Sequence, residues 1–276
     1  MQKKYDLTVA YRIYPQISRL LAVFSDDKYK LSEFCLKSFK ESLGKLKVKL
    51  FVLLDNCPPE YEELFRKYFN DADLELIKLE GIGNFETFRL QIKILLEQNF
   101  SDIIYFAEDD YFYLPNQFVE MVEFLEDNSD ADFVSPYDHI DYYRTNIHDY
   151  ESNIKISKNK HWRTVGSTCL TFLTMKKTLE KTQNTFLSYG KGNPDWTVWL
   201  SLTKNSSDNL KILLKSLKHP GNIKNLYRSY STNKNQVLNN KIWKLWIPIP
   251  AIATHMEKEC LSPTIDWEYI MEKSID

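Results

Sequence analysis

The sequence predicts an α/β fold in which a mostly parallel central sheet is flanked by helices. Three observations carry that expectation. A strand-like pattern alternates with a helix-like pattern four times over roughly the first half of the chain. Two of the strand segments, Val48 to Leu54 and Asp102 to Ala107, are near-continuous apolar runs of the kind that sit inside a sheet covered on both faces. Polar residues stand directly after each of those runs, where open α/β sheets bind ligands. Such alternation closes into a parallel sheet with right-handed crossovers.

Taken in order, Leu7 to Ile13 reads as a strand running into a loop at Pro15. Leu31, Phe34, Cys35, Leu36 and Phe39 recur on one helical face, and Gly44 is the terminator. The strand Val48 to Leu54 ends at Asp55-Asn56-Cys57-Pro58-Pro59. A helix over Glu60 to Phe69 and a strand over Leu74 to Leu79 follow, then a turn at Gly81-Ile82-Gly83-Asn84 with Asn84 as a candidate N-cap. Phe88, Ile92, Leu95 and Leu96 mark the next buried stripe. The strand Asp102 to Ala107 feeds straight into Glu108-Asp109-Asp110, and Pro115 and Asn116 start a helix carrying Phe118, Met121, Val122 and Leu125. Beyond a short strand ending at Ser135 the regularity weakens. Tyr137 to Trp162 reads as a long polar and aromatic loop, Ser167 to Met175 as a strand, and Lys176 to Tyr189, Trp196 to Thr203 and Asn209 to Lys218 as helices. Asn222 to Lys241 reads as a loop, and Ile247 to Thr254 as a last strand ending at His255. No repeat or linker divides the chain, so one domain over residues 1–276 is expected, in halves of 1–135 and 136–276.

Composition narrows the function. At 276 residues, with 43% apolar and 27% charged residues, the chain has ample material for a buried core. Seven glycines, with neither the dinucleotide fingerprint nor a P-loop, count against glycine-cradled phosphate sites. A formal charge of −2 with interspersed signs offers no general field for a polyanion, so nucleic acid is not an expected partner. Cys35, Cys57, Cys169 and Cys260 lie far apart without metal-ligand spacing, which fits a reduced, cytoplasmic chain. No apolar run approaches the roughly 20 residues of a membrane span and no leader is expected, so any membrane contact would be peripheral. Aromatics reach 14%, enough to supply stacking surfaces as well as core.

Three consecutive carboxylates at the end of an apolar strand repel one another unless they are solvated or share a cation. A solvated acidic turn is one reading of Glu108, Asp109 and Asp110. The other is a site for a hard divalent ion such as Mn²⁺ or Mg²⁺, which prefers carboxylate oxygens and shares its remaining positions with substrate phosphates.

The order of pieces, with Y-F-A-E-D-D-Y at residues 105–111, resembles the GT-A fold of nucleotide-sugar glycosyltransferases. The triplet looks like an E-D-D form of their D-x-D motif, similar to family 2 and the N-acetylglucosaminyltransferase relatives. That resemblance implies metal binding by Asp110, a donor-ribose contact by Asp109 and assistance by Glu108. It also implies nucleobase contacts by Arg12 in V-A-Y-R and Asp55 in L-L-D-N-C, a general base at Asp195 in G-N-P-D-W-T-V-W-L, and a further metal or diphosphate ligand at His255. The resemblance covers about residues 7 to 203, with residues 1–135 expected to hold the donor and 136–276 the acceptor. Structural alternatives remain at each position. Arg12 can be a surface ion-pair partner, Asp55 a turn former, Asp195 a helix cap and His255 a satisfied strand-end histidine.

The resemblance implies a nucleotide-sugar donor, a glycan, glycolipid or glycoprotein acceptor and Mn²⁺ or Mg²⁺, and inverting transfer is the working expectation for the mechanism. A retaining transferase and a binding protein without turnover are the alternatives. A nucleotidyltransferase would carry glycine after the first strand, where Y-R-I-Y-P-Q-I-S-R has none. Tyr137, Asp138, His139, Tyr142, Tyr143, His161 and Trp162 are candidates for acceptor recognition.

Overall fold

The computed structural model describes residues 4–17, 20–145, 148, 151–157, 159–239 and 241–275. Its strands are β1 (Leu7–Ile13), β2 (Val48–Asp55), β3 (Leu74–Leu79), β4 (Ile103–Glu108), β5 (Tyr111–Tyr113), β6 (Phe133–Val134), β7 (Ile154–Ser157), β8 (Lys160–Val165), β9 (Phe172–Met175), β10 (Leu245–Ile249) and β11 (Ala253–His255). Nine of them form one sheet in the order β3-β2-β1-β4-β9-β6-β10-β8-β7. β9 and β8 run against the other seven, so the sheet is mostly parallel in direction, as the sequence pattern predicts. β5 and β11 make a separate antiparallel ribbon.

The helices are α1 (Lys28–Ser42), α2 (Glu60–Tyr68), α3 (Gly83–Glu97), α4 (Phe118–Asp127), α5 (Asp141–Arg144), α6 (Lys176–Phe186), α7 (Asp195–Thr203), α8 (Ser206–Lys215), α9 (Pro220–Thr232), α10 (Lys234–Leu238) and α11 (Trp267–Ile275). Because side chains alternate across a strand, β1 sends Leu7, Val9 and Tyr11 into one core, with Phe39 of α1, Phe65 of α2 and Phe124 of α4. Ala10 faces the other core, with Phe88 of α3, Leu179 of α6 and Trp199 of α7. Helices therefore cover both faces, which is why β1, β2 and most of β4 are buried throughout and largely apolar. Leu43 follows α1 as its C-cap and Gly44, at φ +56°, takes the left-handed turn that ends it.

Several expectations are corrected. Tyr137 to Trp162 is not one loop, since it contains α5, β7 and the start of β8, and only its residues 146, 147, 149, 150 and 158 lie outside the described ones. Asn222 to Lys241 is mostly helical. Its many Asn and Ser residues hide the stripe in which Leu226 and Ser229 of α9 are buried. The expected last strand is two, β10 and β11, belonging to different sheets. The sequence pattern does not announce β5 or α11, and the strand expected over Ser167 to Met175 shrinks to β9. The helix expected at Pro115 begins at Phe118, because Asn116 adopts φ +58°. Asn84 is not an N-cap but lies inside the first turn of α3.

Candidate functional site

Parallel pairing of β1 with β4 sets Arg12 opposite Glu108 at the carboxyl ends of both strands. The Arg12 guanidinium donates to Glu108 Oε1, to the Asn84 side-chain oxygen and, at 3.1 Å, to the Asn84 carbonyl. Glu108 Oε2 accepts from the Thr171 hydroxyl at 2.7 Å, so both carboxylate oxygens have protein partners. Burial works against the charge on Arg12, but Glu108 outweighs it and the guanidinium is held ionised above its ordinary value. Gln91 of α3 donates to the carbonyls of Ala10 at 2.7 Å and Ala107 at 3.1 Å, clamping the two strands just before they end.

The next two acids separate. Asp109 Oδ2 lies 2.8 Å from Lys28 Nζ, the first residue of α1, and 3.3 Å from the Tyr14 backbone nitrogen. Burial lifts the Asp109 carboxyl above its usual range, opposed by Lys28 and reinforced by Asp110. Lys28 is itself held charged, since Asp109 and Asp110 overcome the effect of its burial.

Asp110 Oδ2 lies 3.2 Å from His255 Nε2, whereas its buried Oδ1 has no hydrogen-bond partner. Burial opposes ionisation of Asp110, yet the facing His255 ring, then Lys28 and Arg12, hold its carboxyl well below the ordinary range. The ribbon explains how a residue 145 positions later reaches Asp110. β11 pairs with β5 so that His255 stands opposite Tyr111, and Met256 N–H donates to the Asp110 carbonyl at 2.8 Å.

Asp55 closes β2 and accepts from the backbone nitrogens of Ile82 and Gly83, each at 2.8 Å. Its carboxylate thus caps the start of α3 from across the chain. Asp195 is the first residue of α7, following Pro194, and its Oδ1 accepts from Trp196 N at 2.7 Å.

These side chains share one cleft of about 620 Å³ at the carboxyl ends of β1, β2 and β4. Arg12, Asp55, Glu108, Asp109, Asp110, Asp195 and His255 all line it. A second cavity, of about 1120 Å³, has Asp195, His139 and Cys169 in its lining as well, so the two spaces adjoin at those residues. The aromatic segment is divided by the fold. Trp162 is buried against Phe124 with ring centroids 4.1 Å apart, and Asp138 is fully buried on Arg163 and Tyr143, so neither is placed to recognise an acceptor. Tyr137 is buried beneath the cleft, His139 lines both spaces, Tyr142 lines the second, and Tyr143 is half exposed on the Asp138 cluster. His161 is exposed on β8. Sequence reasoning misses Lys28, Asn84, Gln91 and Thr171. Each is an ordinary polar residue locally, and only tertiary pairing reveals it.

Among the described residues no three His, Cys, Asp or Glu side chains form a ready-made metal cage. The Asp110 carboxylate nevertheless suits a cation that draws further ligands from substrate phosphates and water, because an ionised buried oxygen without a partner is what such an ion satisfies. The 3.2 Å between Asp110 Oδ2 and His255 Nε2 is close to the edge of about 3 Å expected for an octahedron with ~2.1 Å bonds. His255 fits less directly. Its Nδ1 accepts from the Glu257 backbone nitrogen at 3.0 Å, so the neutral ring carries its proton on Nε2, toward Asp110. Ligation through Nε2 requires the opposite tautomer.

The fold and site together define an α/β protein that gathers three acids, an arginine, a lysine and a histidine at the carboxyl ends of parallel strands. No family model matches the chain, and no curated protein is similar to it in sequence. Solved structures are similar in fold. The S. aureus TarS 1-349 complex with UDP-GlcNAc is 12% identical at a TM-score of 0.41, with 64% of this chain covered. The chain spans 47% of that one. The mannosyltransferase PcManGT from Pyrobaculum calidifontis, in complex with GDP-Man and Mn²⁺, is 11% identical at 0.43, covering 84% of this chain and 74% of that one. An active-site mutant of LgtC is 10% identical at 0.47, covering 97% of this chain and 95% of that one.

Proposed function

We propose that the chain is a metal-dependent glycosyltransferase that moves a sugar from a nucleoside-diphosphate donor to a hydroxyl acceptor, with inversion, in glycan biosynthesis. The observation that carries this reading is the buried Asp110 carboxylate, with one unpartnered oxygen, in a cleft that also holds Arg12, Lys28, His255 and Asp195. Asp110, with His255 in its other tautomer, would hold Mn²⁺ or Mg²⁺, which would supply Lewis-acid neutralisation of a nucleoside-diphosphate leaving group. Lys28 and Arg12 add fixed positive charge on the same side. Glu108, occupied by Arg12 and Thr171, positions the arginine. Asp109 anchors Lys28, and Asp55 shapes the nucleotide side through α3.

Asp195 stands where the two cavities meet. In this reading it accepts the proton of the acceptor hydroxyl as that oxygen bonds to the anomeric carbon. The bond from that carbon to the diphosphate breaks on the opposite face. The donor occupies the smaller cleft and the acceptor the larger one. The halves 1–135 and 136–276 are then functional rather than separate units, because Asp195 and His255 reach into the donor cleft.

The test is a thermal-shift panel of UDP-, GDP- and dTDP-sugars with Mn²⁺. One donor is expected to raise stability by about 2.7 kcal/mol at a concentration about a hundred times its Kd. Asp110→Asn is expected to lose the Mn²⁺-dependent part of that gain, and EDTA to stop donor turnover. Turnover that persists unchanged in EDTA overturns metal dependence, and the absence of any stabilising donor overturns the assignment.

A further inference from the structure

The chain is nearly neutral overall, yet its charge is segregated. Between residues 204 and 244 there are nine lysines and arginines against one acid, Asp208, leaving 27 basic and 37 acidic residues elsewhere. That segment builds α8, α9 and α10, layered outside α7. Its lysines are largely in solvent, with Lys211, Lys215, Lys224 and Lys234 all exposed.

The same layer exposes large apolar side chains in a pattern. Leu210, Leu214 and Leu217 are 57%, 55% and 62% exposed. Their spacing of four and three places them along one side of α8 and its 3₁₀ extension Ser216–Lys218, while Asn209 and Ile212 face inward. Tyr227 on α9 and Leu238 on α10 add 69% and 57% exposed apolar groups to the layer. A row of leucines flanked by lysines matches a surface that enters the headgroup region of a bilayer, its apolar side chains dipping in while ammonium groups meet lipid phosphates.

We propose that this layer docks the protein peripherally on an anionic lipid bilayer through the Leu210, Leu214 and Leu217 stripe and its neighbouring lysines. The partner is a lipid surface because the patch combines excess positive charge with leucines that are more than half exposed. A polyanion binds the charge alone, and a second copy of this chain would bring the same positive charge against itself. Docking has a geometric consequence. Leu214, Lys215 and Leu217 also line the larger cavity, so docking brings the wall of the space that holds Asp195 to the lipid surface. The proposal stands independently of the transferase reading.

The experiment is co-sedimentation of the full chain with phosphatidylcholine vesicles, with and without phosphatidylglycerol, across a salt series. Binding is expected only with the anionic lipid and falls as salt rises. Leu210→Ser/Leu214→Ser/Leu217→Ser and Lys211→Glu/Lys224→Glu, each checked for unchanged thermal unfolding, are expected to weaken it by about tenfold or more. Because these side chains are exposed, the variants keep their core. Absence of sedimentation with the anionic vesicles overturns the proposal, as does equal binding to neutral ones. Vesicle binding by the leucine variant equal to wild type overturns it too, by reducing the patch to charge alone. Loss of self-association in that variant, with vesicle binding unchanged, reassigns the stripe to contact between copies.

Discussion

Asp55 answers to two demands at once, lining the cleft while giving both carboxylate oxygens to the first amide groups of α3. Those amides belong to a helix start whose own N-cap residue, Ile82, has no side-chain acceptor, so nothing local replaces the carboxylate. Asp55→Ala is therefore expected to cost about 1–2 kcal/mol in urea unfolding, with Asp55→Asn intermediate because an amide offers only one accepting oxygen. Equal midpoints for all three proteins would show that the cap contributes nothing. Arg12, Asp55 and the triplet are legible in the sequence because a polar residue closing an apolar strand is a local signal. What they bind is not legible. Asn84, Thr171 and Lys28 lie 72, 63 and 81 positions from their partners Arg12, Glu108 and Asp109, and no short-range pattern encodes such pairs.

Elements are readable where periodicity is strong and unreadable where they are short. β5 is three residues and β11 is three, and each is held by the other rather than by its own propensity. Their ribbon nonetheless brings His255 to Asp110. The stretch from Tyr137 onward hides α5, β7 and β8 because these owe their form to packing, notably Asp138 on Arg163 and Trp162 on Phe124. His148, beside Tyr142 in this region, gives it a measurable signature. Burial drives its pKa down from 6.5 to about 4, with Asp141 opposing and His139 and Lys204 reinforcing the shift. The unfolded chain therefore takes up this proton below about pH 6.5 while the native one resists until about pH 4, so stability falls as pH drops through that window. His148→Gln is expected to flatten the slope of urea-unfolding free energy between those limits, and an unchanged slope would remove His148 from the account.

At the scale of the whole molecule, the apolar strands β1, β2 and β4 announce a sheet covered on both faces, and the helices on both sides follow from that. The reversal at β9 is not announced. A strand inserted between β4 and β6 in the opposite direction has the same local composition as a parallel one, and only its pairing sets its direction. That insertion extends the sheet past the acidic triplet and lets α7 present Asp195 to both cavities, the arrangement on which the proposed division between donor and acceptor sides rests. Asp195→Asn separates the two sides. The amide retains an oxygen to accept from Trp196 N, so α7 keeps its start and the donor cleft keeps its wall. Lacking a carboxylate, it cannot take the acceptor's proton. The expected outcome is an unchanged nucleotide-sugar thermal shift together with a fall in transfer rate of about 10²- to 10⁴-fold. Calorimetry of donor binding beside a single-turnover assay measures both. A wild-type transfer rate would dismiss Asp195 as the base, whereas equal losses of binding and rate would make it part of the donor site.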